Sequence, residues 1–292
     1  MDLQFLFNEP IVTIQELNPG YEDHASDVWL VETESQEVIV RSSRMRDEPN
    51  NDFWWGCRRL FGIDPRKVYN LEKVNNQLNG ISSIPIPRII GKGKKGREFV
   101  VVEKLNGQIV QSFTNQQSSV LQSLGKGLAE IHNQKKNYIG NPSACLQIKK
   151  EDFHHHFITG IQDIVDRYYR NHSSILLKLD EMIDRIITLP PLDYTSYVLV
   201  DMDPTQFLSN GEVITGLVDT EGYAVAPREL DFIALEYVLD EKSAAEFQKG
   251  YEKVLDLPDL TKCRLPYRYL YRLLSVQGDV NIEEWLEHKY LF

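Results

Sequence analysis

Short apolar runs, in part alternating with polar positions, recur through the first hundred residues. They include segments 11–17, 28–33 and 37–43, and polar turns separate these segments, which predicts three strands. Val68, Leu71, Val74 and Leu78 then recur at helical spacing, and Gly80 is placed to end that helix. Residues 85–107 predict two further strands across a Gly/Lys turn. This part of the chain is therefore expected to be a β-rich unit with one helix.

Helical periodicity takes over after the Asn106-Gly107 turn. It marks segments 120–133, 151–171, 174–189, 229–239, 244–255 and 266–278. We therefore expect an α+β fold with two lobes. The division predicted from this change of pattern is a β-rich N-terminal lobe over residues 1–102, a hinge over 103–107 and a helical C-terminal lobe over 108–292.

One hairpin interrupts the helical half. Asn210-Gly211 between two apolar runs predicts a two-residue turn that pairs Ser209 with Glu212, and this register places Asp219 opposite Met202. Acids then meet at the open end of the hairpin, with Asp201 and Asp203 on one side and Asp219 and Glu221 on the other.

Carboxylates held this close repel one another unless they share a cation or one takes a proton. A bound Mg²⁺ is the simplest solution, because Mg²⁺ prefers one or two carboxylates together with water and substrate phosphates. The alternative is that these acids merely end surface strands.

Charge and cysteine usage narrow the class of protein. With 32 Lys and Arg against 43 Asp and Glu, the net charge is −11, which argues against nucleic acid or an anionic membrane as a partner. The three cysteines are far apart and predict neither a disulfide framework nor a zinc site. Neither a leader segment nor a membrane-spanning run is predicted, so we expect a cytoplasmic protein that binds small molecules.

Four segments, in order, resemble the phosphotransferase family that includes aminoglycoside phosphotransferases and choline kinases. Residues 201–208 resemble its catalytic loop, and residues 218–222 resemble its Ile-Asp-Trp-Glu segment. Residues 128–132 are similar to its Leu-Ala-x-Leu-His helix end, and residues 226–232 to its Asp-Pro-x-x-Asp-Leu-Ala segment. The resemblance implies a protein-kinase-like fold, and the lobe order expected from periodicity agrees with it.

The family's site residues carry over by position in the C-terminal lobe. Asp201 stands at the catalytic aspartate that accepts the proton of a substrate hydroxyl. Gln206 and Asp219 stand at the two Mg²⁺ ligands, and Asp231 at a position that steadies the catalytic loop. The implied co-substrate is ATP or GTP, with Mg²⁺ as the cofactor.

The N-terminal lobe carries a weaker match. Arg41 ends the third strand, where the family has a phosphate-binding Lys, and Glu72 on the following helix is its expected partner. Glu103 and Leu105 fit a hinge strand whose backbone binds a purine, and residues 19–26 occupy the place of the phosphate-covering loop. Arg41 also fits a solvated strand-end charge, and the hinge residues also fit plain core.

Three departures from the family pattern leave alternatives open. Leu199 replaces a His, Gln206 replaces an Asn and Arg41 replaces a Lys, while both aspartates are kept. The favoured function is transfer of the γ-phosphate of ATP or GTP to a hydroxyl of a small molecule, aminoglycoside-like or another amino or quaternary-amine alcohol. The alternatives are a catalytically silent kinase-like protein that binds nucleotide or ligand, and a metal-dependent hydrolase.

The acceptor is less well defined by the sequence. Acids on the predicted helices would favour a cationic acceptor, or they would simply form solvated faces; they are Asp163, Asp166, Glu229, Glu236, Asp240 and Glu241. Tyr267, Tyr269 and Tyr271 are candidates for an aromatic surface. The aromatic stretch 53–57 fits either a core anchor or part of a ligand wall. His154, His155 and His156 are adjacent on a helix and point in different directions, which disfavours a shared metal.

Overall fold

The computed structural model describes residues 2–17 and 25–292. The expected phosphate-covering loop, residues 19–26, lies outside the described residues except for Ala25 and Ser26. Within the described ranges, no helix is both long and apolar enough to cross a bilayer.

The N-terminal half is built on a five-stranded antiparallel sheet. Its order is β1-β2-β3-β5-β4, and its strands are β1 (Ile11–Glu16), β2 (Ser26–Thr33), β3 (Glu37–Ser43), β4 (Ile89–Lys95) and β5 (Arg97–Glu103). Alternation gives the sheet two apolar faces: Val38, Val40 and Val101 pack on one side, while Val100 and Val102 pack on the other. All five strands were predicted from their patterns.

Two helices, not one, separate β3 from β4. These are α1 (Asp52–Phe61) and α2 (Asn70–Leu78), so the aromatic stretch expected to precede the first helix is itself helical. The Asn51 side chain caps α1 by accepting the Trp54 N–H at 2.9 Å. Gly56 lets α1 lie against the helical half, since a Cβ there would collide with the Leu274 side chain.

The C-terminal half contains the predicted helices and one short addition. They are α3 (Ser118–His132), α4 (Phe153–Tyr168), α5 (Ser173–Ile187), α6 (Glu229–Val238), α7 (Glu241–Tyr251), α8 (Arg264–Leu273) and α9 (Ile282–Leu286). The largest apolar cluster of the molecule lies among these helices, and α1 adds Cys57, Leu60 and Phe61 to it. The expected two-lobed α+β architecture is confirmed, although α1 packs on the helical side.

Two small sheets cross the helical half and support the acidic segment. One has the order β11-β10-β6 and contains β6 (Gln108–Ile109), β10 (Phe207–Ser209) and β11 (Ile214–Leu217). The other has the order β8-β7-β12-β9 and contains β7 (Tyr138–Gly140), β8 (Gln147–Lys149), β9 (Ser196–Leu199) and β12 (Tyr223–Ala226).

The predicted hairpin register is wrong. Ser209 pairs with Ile214 instead of Glu212, and the register shifts between Leu208 and Ser209. The reason lies in the turn, where the Asn210 side chain accepts the N–H groups of Glu212 and Val213 and so stabilises a longer loop. A short 3-10 helix, Pro204–Gln206, then diverts the chain, so Asp219 does not lie opposite Met202 in a ladder.

Candidate active site

Two strand pairs bring the predicted acids together despite the changed register. Asp201 comes shortly after β9, and Asp219 comes shortly after β11. Strand β12 returns beside β9, where Tyr223 pairs with Leu199, and the Val200 N–H donates to the Gly222 carbonyl at 3.2 Å. The segment from Asp219 to Glu221 is thereby held next to the Asp201 loop.

Asp201 lies in an environment that disfavours its charge. Burial, followed by repulsion from Asp219 and Asp203, raises the pKa of its carboxyl to about 7. The Gln206 amide opposes this change by donating Nε2–H to Asp201 Oδ2 at 3.2 Å. A carboxyl group with a pKa near neutrality is suited to exchange a proton with a bound hydroxyl.

Gln206 and Asp219 fit an oxygen-ligated cation. The Gln206 Oε1 is buried and has no partner in the described part of the chain, while the Asp219 side chain is 43% exposed. Asp203 is engaged differently, since its Oδ1 accepts the Thr205 N–H at 2.7 Å and caps the short 3-10 helix. Amide and carboxylate oxygens are ligands that Mg²⁺ accepts.

A protein-only metal cage is not formed by these residues. Among residues 2–17 and 25–292, no group of three or more His, Cys, Asp or Glu side chains is arranged to hold a metal ion. His156, from the three adjacent histidines, is instead within hydrogen-bond distance of the Leu60 carbonyl, at 2.8 Å. A Mg²⁺ ion beside Asp219 and Gln206 would therefore depend on phosphate and water for its remaining ligands.

Arg41 bridges the two halves of the molecule. Its NH1 donates to the Val218 carbonyl at 2.8 Å, and its NH2 lies 3.1 Å from both Asp219 Oδ1 and Glu221 Oε1. The Ser26 hydroxyl of β2 donates to the same Glu221 carboxylate at 2.8 Å. Although burial opposes its charge, Asp219 and Glu221 raise the pKa of Arg41, so the guanidinium stays protonated.

Glu221 is a functional candidate that the sequence reasoning left without a role. Its side chain is only 8% exposed, and burial raises its pKa even though Arg41 acts in the opposite direction. Its position two residues after Asp219 was the available signal. Ser26 gave no comparable signal, because its contact with Glu221 spans 195 positions of the chain.

The expected pairing of Arg41 with Glu72 is wrong in this structure. Glu72 instead forms an ion pair with Lys92 of β4, a strand that sequence reasoning did not consider as a source of its partner. Arg41 turns toward Val218 and the two acids that follow it, since a planar guanidinium can satisfy a carbonyl and two carboxylates at once. Glu72 thus lies outside the group of residues around Asp201.

The hinge residues Glu103 and Leu105 lie at the end of β5 and just beyond it. The Glu103 carboxylate accepts Arg88 Nε–H at 2.9 Å, and its backbone N–H donates to the Arg88 carbonyl at 2.9 Å. The Leu105 side chain packs over Gly216 of β11. Neither residue lines the cavity around Asp201, so their predicted role in purine binding remains a prediction.

A cavity of about 480 Å³ opens where the two halves meet. Its lining includes the polar residues Arg41, Asp201, Gln206, Asp219 and Glu221 and the apolar residues Leu17, Val28, Ile109 and Val218. Further lining residues are Ser26, Asn51, Phe53, Trp54, Ser275 and Val276. This size and mixture of surfaces are typical of small-molecule sites.

A buried network holds the loop before Asp201 in place. Asp231 accepts the Leu199 N–H at 2.8 Å, and its other oxygen lies 2.9 Å from His132 Nε2. The second ring nitrogen of His132 lies 2.9 Å from the Tyr251 hydroxyl. The structure thus places Asp231 against the catalytic loop, as the resemblance implied, and the loop is braced although Leu199 replaces a His.

None of the expected acceptor acids lines the cavity. Asp163 pairs with Arg59, Glu236 is buried beside Arg268, Asp240 caps α7 and Glu241 pairs with Lys289. Glu229 and Asp166 also lie away from the cavity lining. The three tyrosines of α8 are at most 2% exposed, so they are core residues and not a ligand surface.

The sheet order, the helical half and the acids at their junction define a protein-kinase-like fold. No protein-family model and no curated protein sequence matches the chain. Solved structures do match it. The GDP complex of wild-type aminoglycoside 2'-phosphotransferase-IIIa matches with a TM-score of 0.61 and 17% identity, over 95% of this chain and 91% of that one.

Two further solved structures show the same similarity. Spectinomycin phosphotransferase, in complex with ADP and spectinomycin, matches with a TM-score of 0.58 and 15% identity, over 98% of this chain and 91% of that one. The macrolide 2'-phosphotransferase apoenzyme from Brachybacterium faecium matches with a TM-score of 0.61 and 11% identity, over 95% of this chain and 93% of that one. The chain therefore has the fold of antibiotic phosphotransferases, as its sequence motifs indicated.

Proposed function

We propose that the protein is a small-molecule O-phosphotransferase that uses ATP or GTP and acts on an alcohol bearing an amine. The observation that carries this proposal is the convergence of Arg41, Asp201, Gln206 and Asp219 on one cavity between the lobes. The nucleotide and antibiotic complexes of structurally similar proteins support the same class of reaction. We further propose a cytoplasmic location, which agrees with three free cysteines.

The proposed reaction moves one phosphoryl group between two oxygens. The acceptor oxygen bonds to the γ-phosphorus, the bond from that phosphorus to the bridging oxygen breaks, and the nucleoside diphosphate leaves. Asp201 takes the proton from the acceptor hydroxyl, and its pKa of about 7 matches this task at neutral pH. Positioning and charge neutralisation supply most of the acceleration in such transfers.

Gln206 and Asp219 are the proposed residues for Mg²⁺. When bound, Mg²⁺ would neutralise charge on the nucleotide phosphates. Support for this assignment comes from the unpartnered, buried Gln206 Oε1 and from the partly exposed Asp219 carboxylate. Gln206 has a second task, because its amide N–H holds Asp201 Oδ2.

Arg41 is the proposed phosphate-binding residue of the N-terminal lobe. Its Nε is buried and has no partner in the described part of the chain, and the residue lines the cavity. The Glu221 carboxylate orients the guanidinium, and the Ser26 hydroxyl donates to that carboxylate. For the purine, we propose the apolar surface of Leu17, Val28 and Ile109, together with the backbone of Glu103 and Leu105.

One observation favours the alternative of a silent nucleotide- or ligand-binding protein. In the structure, Arg41 already neutralises Asp219 and Glu221, so a metal–nucleotide complex has to compete with an ion pair. If that competition fails, the fold would bind its ligand without phosphate transfer.

The test is a nucleotide-turnover assay with an acceptor panel. ADP or GDP release is measured with Mg²⁺ and with aminated alcohols such as kanamycin and choline, for the native protein and for Asp201→Asn. Acceptor-dependent release that disappears in the variant is the expected result. The silent alternative predicts that nucleotide binds but is not turned over with any acceptor. Phosphate release from phosphorylated compounds without a nucleotide would favour a hydrolase.

A further inference from the structure

Part of the cavity wall comes from an unexpected part of the chain. Helix α1 follows β3 in sequence, yet it packs against α4 and the end of α8 in the helical half. Its first turn contributes Phe53 and Trp54 to the cavity lining. The two rings meet edge to face, with centroids 4.9 Å apart.

This aromatic wall is held in place by polar contacts behind it. The Asp52 carboxylate accepts the Tyr169 hydroxyl at 2.7 Å and the Ser275 hydroxyl at 2.6 Å. Ser275 has a φ of 49°, in the left-handed region that non-glycine residues rarely adopt, and it lines the cavity together with Val276. Strained backbone of this kind persists where the surroundings fix it, commonly at ligand sites. The wall is therefore preorganised.

The charge balance of the cavity indicates what the wall would bind. Asp201, Asp219 and Glu221 line the cavity together with Arg41, which is the only cationic residue among the described lining residues. The lining therefore carries more negative than positive charge around an aromatic surface. An aromatic ring attracts a cation over its face, most strongly when the ring is an indole.

We propose that Phe53 and Trp54 bind the ammonium group of the acceptor alcohol and so direct its hydroxyl toward Asp201. Binding of the ammonium group can be measured without turnover. Only the second part of the inference, the direction of the hydroxyl toward Asp201, rests on the proposed function. It also replaces the acids of α4, α6 and α7, and the tyrosines of α8, as the source of acceptor recognition.

The adjacent tryptophan provides a matched control. Trp55 belongs to the same helical turn, but its ring packs on Tyr168 at 5.9 Å and lies beside the Arg167 guanidinium. It does not line the cavity. Substitutions at Trp54 and Trp55 therefore perturb the same helix while only one of them changes the proposed wall.

The experiment is calorimetric titration of the full chain with choline, kanamycin and neutral inositol, without nucleotide. The native protein is expected to bind at least one of the two amines and not inositol. Trp54→Ala should weaken that binding about 10-fold or more, which corresponds to about 1.4 kcal/mol. The amine affinity of Trp54→Phe should lie between those of the native protein and Trp54→Ala. The affinity of Trp55→Phe should stay within about twofold of native, since this substitution leaves the wall unchanged.

The possible outcomes separate this inference from the proposed function. The inference is overturned if neither amine binds, if inositol binds equally well, or if Trp54→Ala and Trp54→Phe bind like the native protein. It is also overturned if Trp55→Phe weakens binding as much as Trp54→Phe does. If Trp54→Ala does not fold, Trp54→Phe decides the result. Amine binding with the expected variant pattern but no nucleotide turnover would contradict the proposed function alone.

Discussion

Two clusters of buried charge in this molecule use the same residue types in opposite proportions. In the interior cluster, Glu236 lies 2.6 Å from Arg268 and 3.3 Å from Arg264, and it also accepts the Leu291 N–H at 3.1 Å. Arg268 and Glu236 are both fully buried. Two cations thus lie beside one acid, and Arg268 NH1 also donates to the backbone carbonyl of Leu286 at 2.9 Å.

The cleft cluster has the reverse balance. Arg41 pairs with both Asp219 and Glu221, and the charge of Asp219 contributes to the raised pKa of Asp201. All four residues line an open cavity. Both clusters contain buried side-chain atoms that have no partner in the described part of the chain: Arg268 Nε in the first, and Arg41 Nε and Gln206 Oε1 in the second. The clusters differ in that the cleft cluster has excess negative charge and its residues line the cavity. This difference supports a structural role for the first cluster and the proposed ligand site for the second.

The largest expected effect is a loss of activity when an acid of the cleft cluster is replaced. Asp201→Asn should lower acceptor-dependent turnover by about 10³-fold, because the proposed proton acceptor is lost while the shape of the site is kept. Nucleotide affinity should change little, which calorimetry can check. Turnover within about tenfold of native would show that Asp201 is not the base.

Stability should respond to the interior cluster more than to the cleft cluster. Arg268→Met should lower the free energy of unfolding by about 3–5 kcal/mol, because Glu236 would be left buried with a poorer set of cations. Arg41→Met should lower the free energy of unfolding by less. Asp219 is partly exposed, and burial raises the pKa of Glu221, which favours its neutral form. Urea denaturation measures both.

Arg185→Met serves as the control for these two variants, because Arg185 and its partner Glu181 are both partly exposed. Its effect should be within about 1 kcal/mol. Equal losses for Arg268→Met and Arg41→Met would remove the distinction between the clusters.

Titration of Asp201 should make the free energy of unfolding depend on pH. The pKa of an unperturbed aspartate is 3.8, whereas that of Asp201 in the folded protein is about 7, so folding favours the protonated carboxyl. The resulting stabilisation is complete below about pH 4 and is lost as the pH rises through about 7. Asp201→Asn should therefore be more stable than the native protein at pH 8, by about 1–2 kcal/mol. Its free energy of unfolding should also change less between pH 4 and 7 than that of the native protein.

Denaturant midpoints recorded across that pH range would check this expectation. Asp163→Asn is a suitable control, because it also removes one acid but lies outside the cavity lining. Parallel pH profiles for native protein and Asp201→Asn would contradict the raised pKa of Asp201.

The smallest expected effect is a shift in the pH profile of Gln206→Leu, which is separate from any loss of turnover through the proposed contact of Gln206 with Mg²⁺. Gln206→Leu removes the amide that donates to Asp201 Oδ2, so the pKa of Asp201 should rise further. The acid limb of the pH profile of kcat/KM should move upward by up to about one unit. A limb that moves downward would show that the amide does not favour the charged carboxylate.

The sequence predicted those features that local pattern determines. Alternation predicted β1 to β5, and helical periodicity predicted the principal helices of the second half, because each pattern records which face is buried. The meeting of Asp201 with Asp219 was also predicted. It survived the wrong register because two strand pairs, and not the hairpin alone, bring these residues together.

Features that depend on distant contacts were not predictable in this way. Glu72 takes Lys92 from a separate strand, and Ser26 reaches Glu221 across the cleft. Helix α1 was missed although two signals were available: Asn51 as its N-cap, and the helical spacing of Cys57, Leu60 and Phe61. Its packing depends on Gly56 meeting Leu274, a contact that no local pattern indicates.

The central claim is that the cleft cluster is a metal–nucleotide site. A thermal-shift series with ATP, GTP and ADP, each with and without Mg²⁺, on native protein and on Asp219→Asn tests it most directly, because a ligand that binds only the folded state raises its apparent stability. The account predicts a Mg²⁺-dependent rise in Tm with at least one nucleotide, and its loss in Asp219→Asn. No rise with any nucleotide at saturating concentration would contradict it.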